Sequence, residues 1–272
     1  MRLLGILLCL IGLNVSSYGD VEKLIFSHYT NSYNTQQSYK TLSELNVSVT
    51  LSQAYDIQQK LVQNMLTKQP KRGFKVALTT AEEQKEYNIS EPILGVLVAD
   101  QIYKNFSIIP KKSFQDLWFE TEFGFVLKSD ITRPINSVYI LKQYIKSVYS
   151  VIEVIDFRFS RKNNVQIGDL IMANALSSSY LLGPELSLDL ISNLPVKTMC
   201  SGDIISNFNK PVLLDKYLTS LMWAINSALE QGWKVSKDDI IITGSLGSMF
   251  PAKRGRYIVD YGDLTSIMFD VH

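Results

Sequence analysis

The sequence predicts a mixed α+β fold, in which a twisted β-sheet or roll follows an N-terminal region of short helices and strands. Two observations predict it. From about residue 100 onward strand-like apolar runs dominate, at 119–127, 151–159, 240–243, 257–261 and 265–271, and two helical patterns interrupt them. Before residue 100, helical and strand patterns alternate in short pieces. The composition agrees: 272 residues, 46% hydrophobic and 19% charged, suffice to bury a sizeable core.

The elements can be justified in order. Residues 1–19 read as an export signal. Arg2 gives a positive start, and 3–13 is an almost unbroken apolar run, too short to span a bilayer as a mature helix. Ser17 and Gly19 then place small residues where cleavage is specified. The expected product is exported, periplasmic or secreted, with no stable membrane insertion after signal removal. Loss of Cys9 would leave Cys200 alone, so no intrachain disulfide can form and a buried thiol is expected. Residues 20–50 are polar and carry no clear pattern. Residues 50–68 form a helix, because Ala54, Ile57, Leu61 and Met65 recur at spacings of three and four, with Thr50 or Ser52 as cap and Pro70 and Gly73 as stop. A strand at 74–79 carries one charge, Lys75. A polar helix at 80–87 ends at Glu91-Pro92, and an apolar strand at 93–99 completes the N-terminal region, 20–99. In the remainder, 100–272, one helix at 136–148 is read from Val138, Leu141, Ile145 and Val148. A second, at 214–231, is read from Leu218, Leu221, Met222, Ile225 and Leu229, with Gly232 as its stop.

Charge narrows the function. The 27 Lys and Arg balance 26 Asp and Glu, leaving no overall basic character for nucleic acid and no acidic tail. The two histidines, His28 and His272, are far apart in the chain and one is terminal, which argues against a histidine zinc site or a His-dependent triad. Acid–base or metal chemistry then falls to carboxylates, lysines and hydroxyls.

Four features bear on that chemistry. Glu120 and Glu122 lie two apart in a strand, so their carboxylates share a face, opposite Thr121, Phe123, Phe125 and Leu127. Alone, the pair fits an edge strand with two solvated acids better than a site; a hard divalent cation is the alternative that removes their repulsion. Lys75 stands among Phe74, Val76 and Leu78, where it either snorkels outward or has a partner. Glu153 and Asp156 interrupt a β-branched run. Arg158 can serve Asp156 from the same face, while Glu153 faces the other way without a local partner. Three carboxylates in apolar strands favour a divalent metal more than any one does. Finally, a strand ending in Thr243-Gly244-Ser245 offers N–H groups and hydroxyls that can hold a carboxylate.

These pieces, with Gln53–Gln58, Gly73–Thr79, Glu91–Gly95, Ala173-Asn-Ala-Leu-Ser177 and Leu182-Gly183, occur in an order and spacing that resembles the 2-keto-4-pentenoate hydratase family of the fumarylacetoacetate hydrolase superfamily. The resemblance covers nearly all of the expected mature chain. It implies a roll of the fumarylacetoacetate hydrolase type, with 100–272 as the catalytic domain, and a homo-oligomer. It implies Mg²⁺ or Mn²⁺ held by Glu120, Glu122 and Glu153, with Lys75 as the active-site lysine and Gly244 and Ser245 at the substrate's carboxylate. The implied partner is a small 2-oxo or 2-hydroxydienoate acid, and the implied reaction is hydration through a metal-stabilised enolate. Two departures stand out. Ile93 replaces the family's aspartate, a proton shuttle, and Leu176 replaces a serine. They leave open 2-oxo acid decarboxylation or C–C hydrolysis in the same pocket, or an exported binding protein without turnover.

Overall fold

The computed structural model describes residues 17–98, 102–159, 164–192 and 194–272. Residues 1–16, most of the segment read as an export signal, lie outside the described residues. Helix α1 (Tyr18–Asn34) starts within that segment, capped by Ser17, whose side chain accepts from the Asp20 N–H. Its buried stripe is Ile25, Tyr29 and Ser32, too sparse among polar neighbours to be read from the sequence. Next come α2 (Leu42–Leu45) and α3 (Leu51–Leu66), each opened by a threonine capping box, Thr41 with Glu44 and Thr50 with Gln53. Then follow β1 (Lys71–Ala77), α4 (Ala81–Glu86), β2 (Ile93–Val98), β3 (Ile102–Lys104), β4 (Ile108–Ile109), β5 (Leu117–Leu127), α5 (Val138–Lys142) and β6 (Ile145–Asp156). The chain continues through α6 (Ile167–Met172), β7 (Ser177–Leu186), β8 (Val196–Cys200), β9 (Asp203–Phe208) and α7 (Leu214–Glu230). It finishes with β10 (Ile240–Ser245), β11 (Phe250–Pro251), β12 (Gly255–Tyr261) and β13 (Thr265–Val271).

The strands form two sheets. The larger has the order β2-β1-β10-β5-β6-β7-β3, with β11 beside β5, and the smaller has the order β4-β13-β12-β8-β9. In the larger sheet β1 runs parallel to β10, and β10, β5, β6 and β7 are successively antiparallel. The large sheet is strongly curled. On a flat sheet β2 and β7 would stand roughly 24 Å apart, five strand spacings, yet they touch.

Curling gives the sheet two different faces. The outer face, with Phe74, Val76, Phe119, Phe123 and Phe125, packs on α7 and the smaller sheet in one continuous core. Phe119 anchors that packing edge-on against Tyr257 and Phe269, at ring-centre distances of 5.4 and 5.2 Å. One end of the inner face is filled by Leu97, Val151, Tyr180, Ile240 and Ile242. A further apolar cluster joins the N-terminal helices to α6 through Ile25, Tyr29, Ile57 and Ile171.

One expected element is corrected. The helix read at 136–148 is only α5, and from Ile145 the chain is strand β6. Every β5 residue pairs with β6, from Leu117 with Asp156 to Leu127 with Ile145. That ladder buries Val148, Ile152 and Val154 on the core face, so strand pairing overrides the helical spacing of Ile145 and Val148. The expected thiol is present: Cys200 is buried and unpaired with any cysteine.

Candidate metal centre

The register of the larger sheet builds the site. Glu120 pairs with Glu153, Glu122 with Val151 and Ser245, and Lys75 with Ile242 and Gly95. Alternate residues share a face, so each inner row can be followed outward from the apolar plug. On β10 it reads Ile240, Ile242 and, past a bulge, Ser245, and on β5 Val126, Gly124, Glu122, Glu120. On β6 it reads Val151, Glu153, Ile155, and on β1 Gly73, Lys75, Ala77. The polar groups thus form one layer directly above the plug.

Neither glutamate lies on an edge strand, because β5 is flanked by β10 and β6. Glu122 is 0% and Glu153 1% exposed. Glu120 is half-buried and faces a cavity of about 440 Å³. Thr121, Phe123, Phe125 and Leu127 are buried on the opposite face, as the alternation requires. One carboxylate oxygen from each of Glu120, Glu122 and Glu153 lies within 4.8 Å of the others.

The lysine does not snorkel. Lys75 is 2% exposed, its Nζ donating to Glu153 Oε1 and, at 2.9 Å, to the Ala175 carbonyl. Their strands are three positions apart, about 14 Å on a flat sheet, so only the curl lets this ion pair close. Arg158 pairs with Asp156 at 2.8 Å, as the sequence suggested. Glu153 therefore takes its partner from β1.

The carboxylates remain incompletely satisfied. Gly244 N–H donates to Glu122 Oε2 at 2.6 Å, but Glu122 Oε1 and Glu153 Oε2 are buried with no hydrogen-bond partner. Two orphaned anionic oxygens in a dry site are what a cation-binding set looks like. Oxygen-only ligands suit a hard divalent ion. The donor set therefore fits the expected metal. Gly244 has its N–H engaged by Glu122, so a carboxylate-binding turn would have to use other groups. Ser245 lines the cavity, and its buried hydroxyl has no hydrogen-bond partner.

Electrostatics point the same way. Burial, and then the charge of Glu153, push the Glu120 carboxyl up to about 8. Burial, Glu153 and Glu120 raise Glu122 well above the carboxylate range. For Lys75 burial works to lower the pKa, but Glu153 and Glu120 outweigh it and the net shift is upward, so the ammonium is retained. A stability consequence follows. A carboxyl raised from 4.5 to about 8 stabilises the metal-free fold fully below pH 4.5, and that contribution is lost as pH rises through 8. Thermal melts in chelator should therefore show wild type losing Tm relative to Glu120→Gln between pH 5 and 8.5, with saturating Mg²⁺ removing the difference. Parallel pH profiles in chelator would contradict these shifts.

The turn after α6 presents the lysine's second acceptor. Asn174, Ala175 and Leu176 all have positive φ, at 55°, 53° and 58°. Three such non-glycine residues cost roughly 1–3 kcal/mol each, and the surroundings hold them. Asn174 clamps β2 by accepting from Val96 N–H at 2.8 Å and donating to the Val96 carbonyl at 2.9 Å. The turn also needs Gly95, where a Cβ would meet the Asn174 carbonyl at 2.7 Å and Lys75 Cγ at 2.8 Å. Gly95→Ala should cost about 1–3 kcal/mol, read by urea unfolding; an unchanged midpoint would mean that the turn moves freely.

Sequence reasoning missed three supporting residues. Asn174 lay in a quoted motif but had no role. Tyr261, on the smaller sheet, places its hydroxyl 2.7 Å from the Val151 carbonyl and 3.1 Å from that of Glu122, bracing both strands beneath the site. Glu83, from α4, lines the cavity. Only Asn174 carried a local signal, its neighbourhood of small residues.

No family model matches the chain. A 2-keto-4-pentenoate hydratase from Paraburkholderia phymatum is 29% identical over 199 residues, covering 72% of this chain and 76% of that protein. A 2-oxo-hept-4-ene-1,7-dioate hydratase from Escherichia coli is 27% identical over 235 residues, 80% of this chain and 86% of that protein. The resemblance to the 2-keto-4-pentenoate hydratases holds. Among solved structures, 4-oxalocrotonate decarboxylase from Pseudomonas putida G7, complexed with magnesium and adipate, superposes with a TM-score of 0.84 at 19% identity, over 94% of this chain and 99% of that one. The fold is the expected α+β class, and the strand arrangement is that of solved structures of the fumarylacetoacetate hydrolase type.

Proposed function

We propose that this enzyme is a divalent-metal-dependent lyase of hydratase type, acting on a small 2-oxo or 2-hydroxydienoate acid through an enolate. The convergence of three carboxylates, two with orphaned buried oxygens, beside a buried lysine under an open cavity carries the proposal. Glu120, Glu122 and Glu153 would hold Mg²⁺ or Mn²⁺. Bound there, the ion supplies Lewis-acid polarisation of the acid's carboxylate and 2-oxygen.

The chain's own groups do the rest. Lys75 keeps a positive charge next to the carboxylate layer, where negative charge on an enolate oxygen is stabilised most strongly in a water-poor site. Glu153 and the Ala175 carbonyl fix the ammonium's position. Ser245 offers a hydroxyl with no protein partner, at hand for a substrate oxygen. Closure of the inner face by the apolar plug keeps water away from the far side of the charged layer.

A second reading rests on Ile93 and Leu176. Both line the cavity and neither can carry a proton. A reaction that needs the enolate but no positioned water, such as 2-oxo acid decarboxylation, suits such walls. The test is a turnover assay with Mg²⁺ or Mn²⁺ against a panel of 2-hydroxydienoates and unsaturated 2-oxo diacids. Loss of diene absorbance without CO₂ supports hydration, and CO₂ release supports decarboxylation. No turnover, together with no binding of pyruvate or oxalate, would contradict both.

A further inference from the structure

The left-handed turn at 174–176 is a wall between two cavities. Ala175 lines the one above the carboxylates, Asn174 lines a second, of about 360 Å³, and Leu176 lines both. We propose that the second cavity, between α1, α3 and the start of β7, is a binding site for a small carboxylate with an apolar body. Among the described residues lining it, Arg158 and Asp156 are the charged ones. Asp156 is already well supplied with donors. Its Oδ1 accepts from the N–H groups of Gln115 at 2.8 Å and Asp116 at 3.1 Å, and its Oδ2 accepts from Arg158 Nε at 2.8 Å.

The guanidinium is not equally supplied with acceptors. The Arg158 side chain is 12% exposed, and its Nη1 is buried without a hydrogen-bond partner. The hydroxyls of Thr30 on α1 and Ser177 on β7 are buried and unpartnered too, and both residues line the same cavity. Unpaired buried donors are costly, and a guanidinium has five N–H groups and accepts nothing. A carboxylate answers several donors at once and matches the planar fork. The rest of the wall suits an apolar body. Leu61 and Met65 of α3 and Met172 of α6 line it, and the Tyr33 and Tyr39 ring centres each stand 5.6 Å from the guanidinium carbon.

Calorimetric titration of the full-length protein in chelator tests this with benzoate, acetate and benzamide. Without metal, the carboxylate layer offers an anion no cation but Lys75, already paired with Glu153. Benzoate should bind once per chain. It should bind at least about tenfold more tightly than acetate, which lacks the apolar body, and than benzamide, which lacks the charge. Arg158→Lys keeps a cation for Asp156 but loses the fork, and should weaken benzoate at least about tenfold. Thr30→Val keeps the side chain's shape and should weaken it about threefold, a check that does not depend on the Arg158 variant folding. Benzoate binding that appears only with Mg²⁺, or that survives both substitutions unchanged, would place the ligand elsewhere and overturn the proposal. Benzamide binding as tightly as benzoate would overturn it as well. So would no benzoate binding at all, the result expected if ordered water alone satisfies these donors.

Discussion

Lys75→Met is expected to lower kcat for any accepted substrate by about 100- to 1000-fold, the usual loss when one preorganised charge-stabilising group is removed. The same substitution leaves Glu153 buried beside Glu120 and Glu122 without its cation. Breaking a buried pair from one side costs about 3–5 kcal/mol, so the metal-free variant should melt well below wild type at pH 8. At pH 5.5 the loss should shrink, because Glu120, its carboxyl pushed up to about 8, is then protonated and no longer sets a second negative charge beside Glu153. Divalent metal should restore most of the lost stability, since it replaces the missing positive charge, but it should not restore kcat. A purely structural lysine would give the stability loss with kcat unchanged in the metal-loaded protein, and that pattern would remove Lys75 from the chemistry.

Glu122→Gln should separate stability from function in the opposite sense. Glu122 is fully buried, held by one N–H, and raised well above the carboxylate range by burial, Glu153 and Glu120. Its charged form is therefore disfavoured in the metal-free fold. Glutamine keeps the size and can still accept from Gly244 while removing that charge. The metal-free variant should melt at or above wild type at pH 8, yet turnover should fall by more than about 100-fold, beyond what loss of a group merely supporting a metal ligand costs. Lower stability with full activity would mean that Glu122 is a structural acid.

Much of the site was legible before the fold was known. Residues two apart on a strand share a face, so Glu120 and Glu122 could be placed together from their spacing alone. Whether that face was wet or dry could not be read, because it depends on β5 being flanked by β10 and β6. Glu153 was singled out by its lack of a local partner. Its actual partner, Lys75, reaches it only because the sheet curls, a property of the whole strand order rather than of either sequence segment. The helix read across Ile145 and Val148 failed for the same reason, since only the ladder to β5 shows those residues to be strand. Helix α1 was missed because three buried positions in a polar stretch carry little periodic signal. The left-handed turn at 174–176 could not be foreseen from Asn-Ala-Leu. Its conformation is imposed by the Asn174 clamp on Val96 and by Lys75.

The most direct test is titration of metal-free protein with Mn²⁺ at pH 8, followed by calorimetry and by the manganese EPR signal. The expected result is one ion bound per chain in wild type and none in the Glu120→Gln/Glu122→Gln/Glu153→Gln variant, with both proteins folded by circular dichroism. Equal binding by the two proteins, or no stoichiometric binding by wild type, would contradict a metal centre at these three carboxylates.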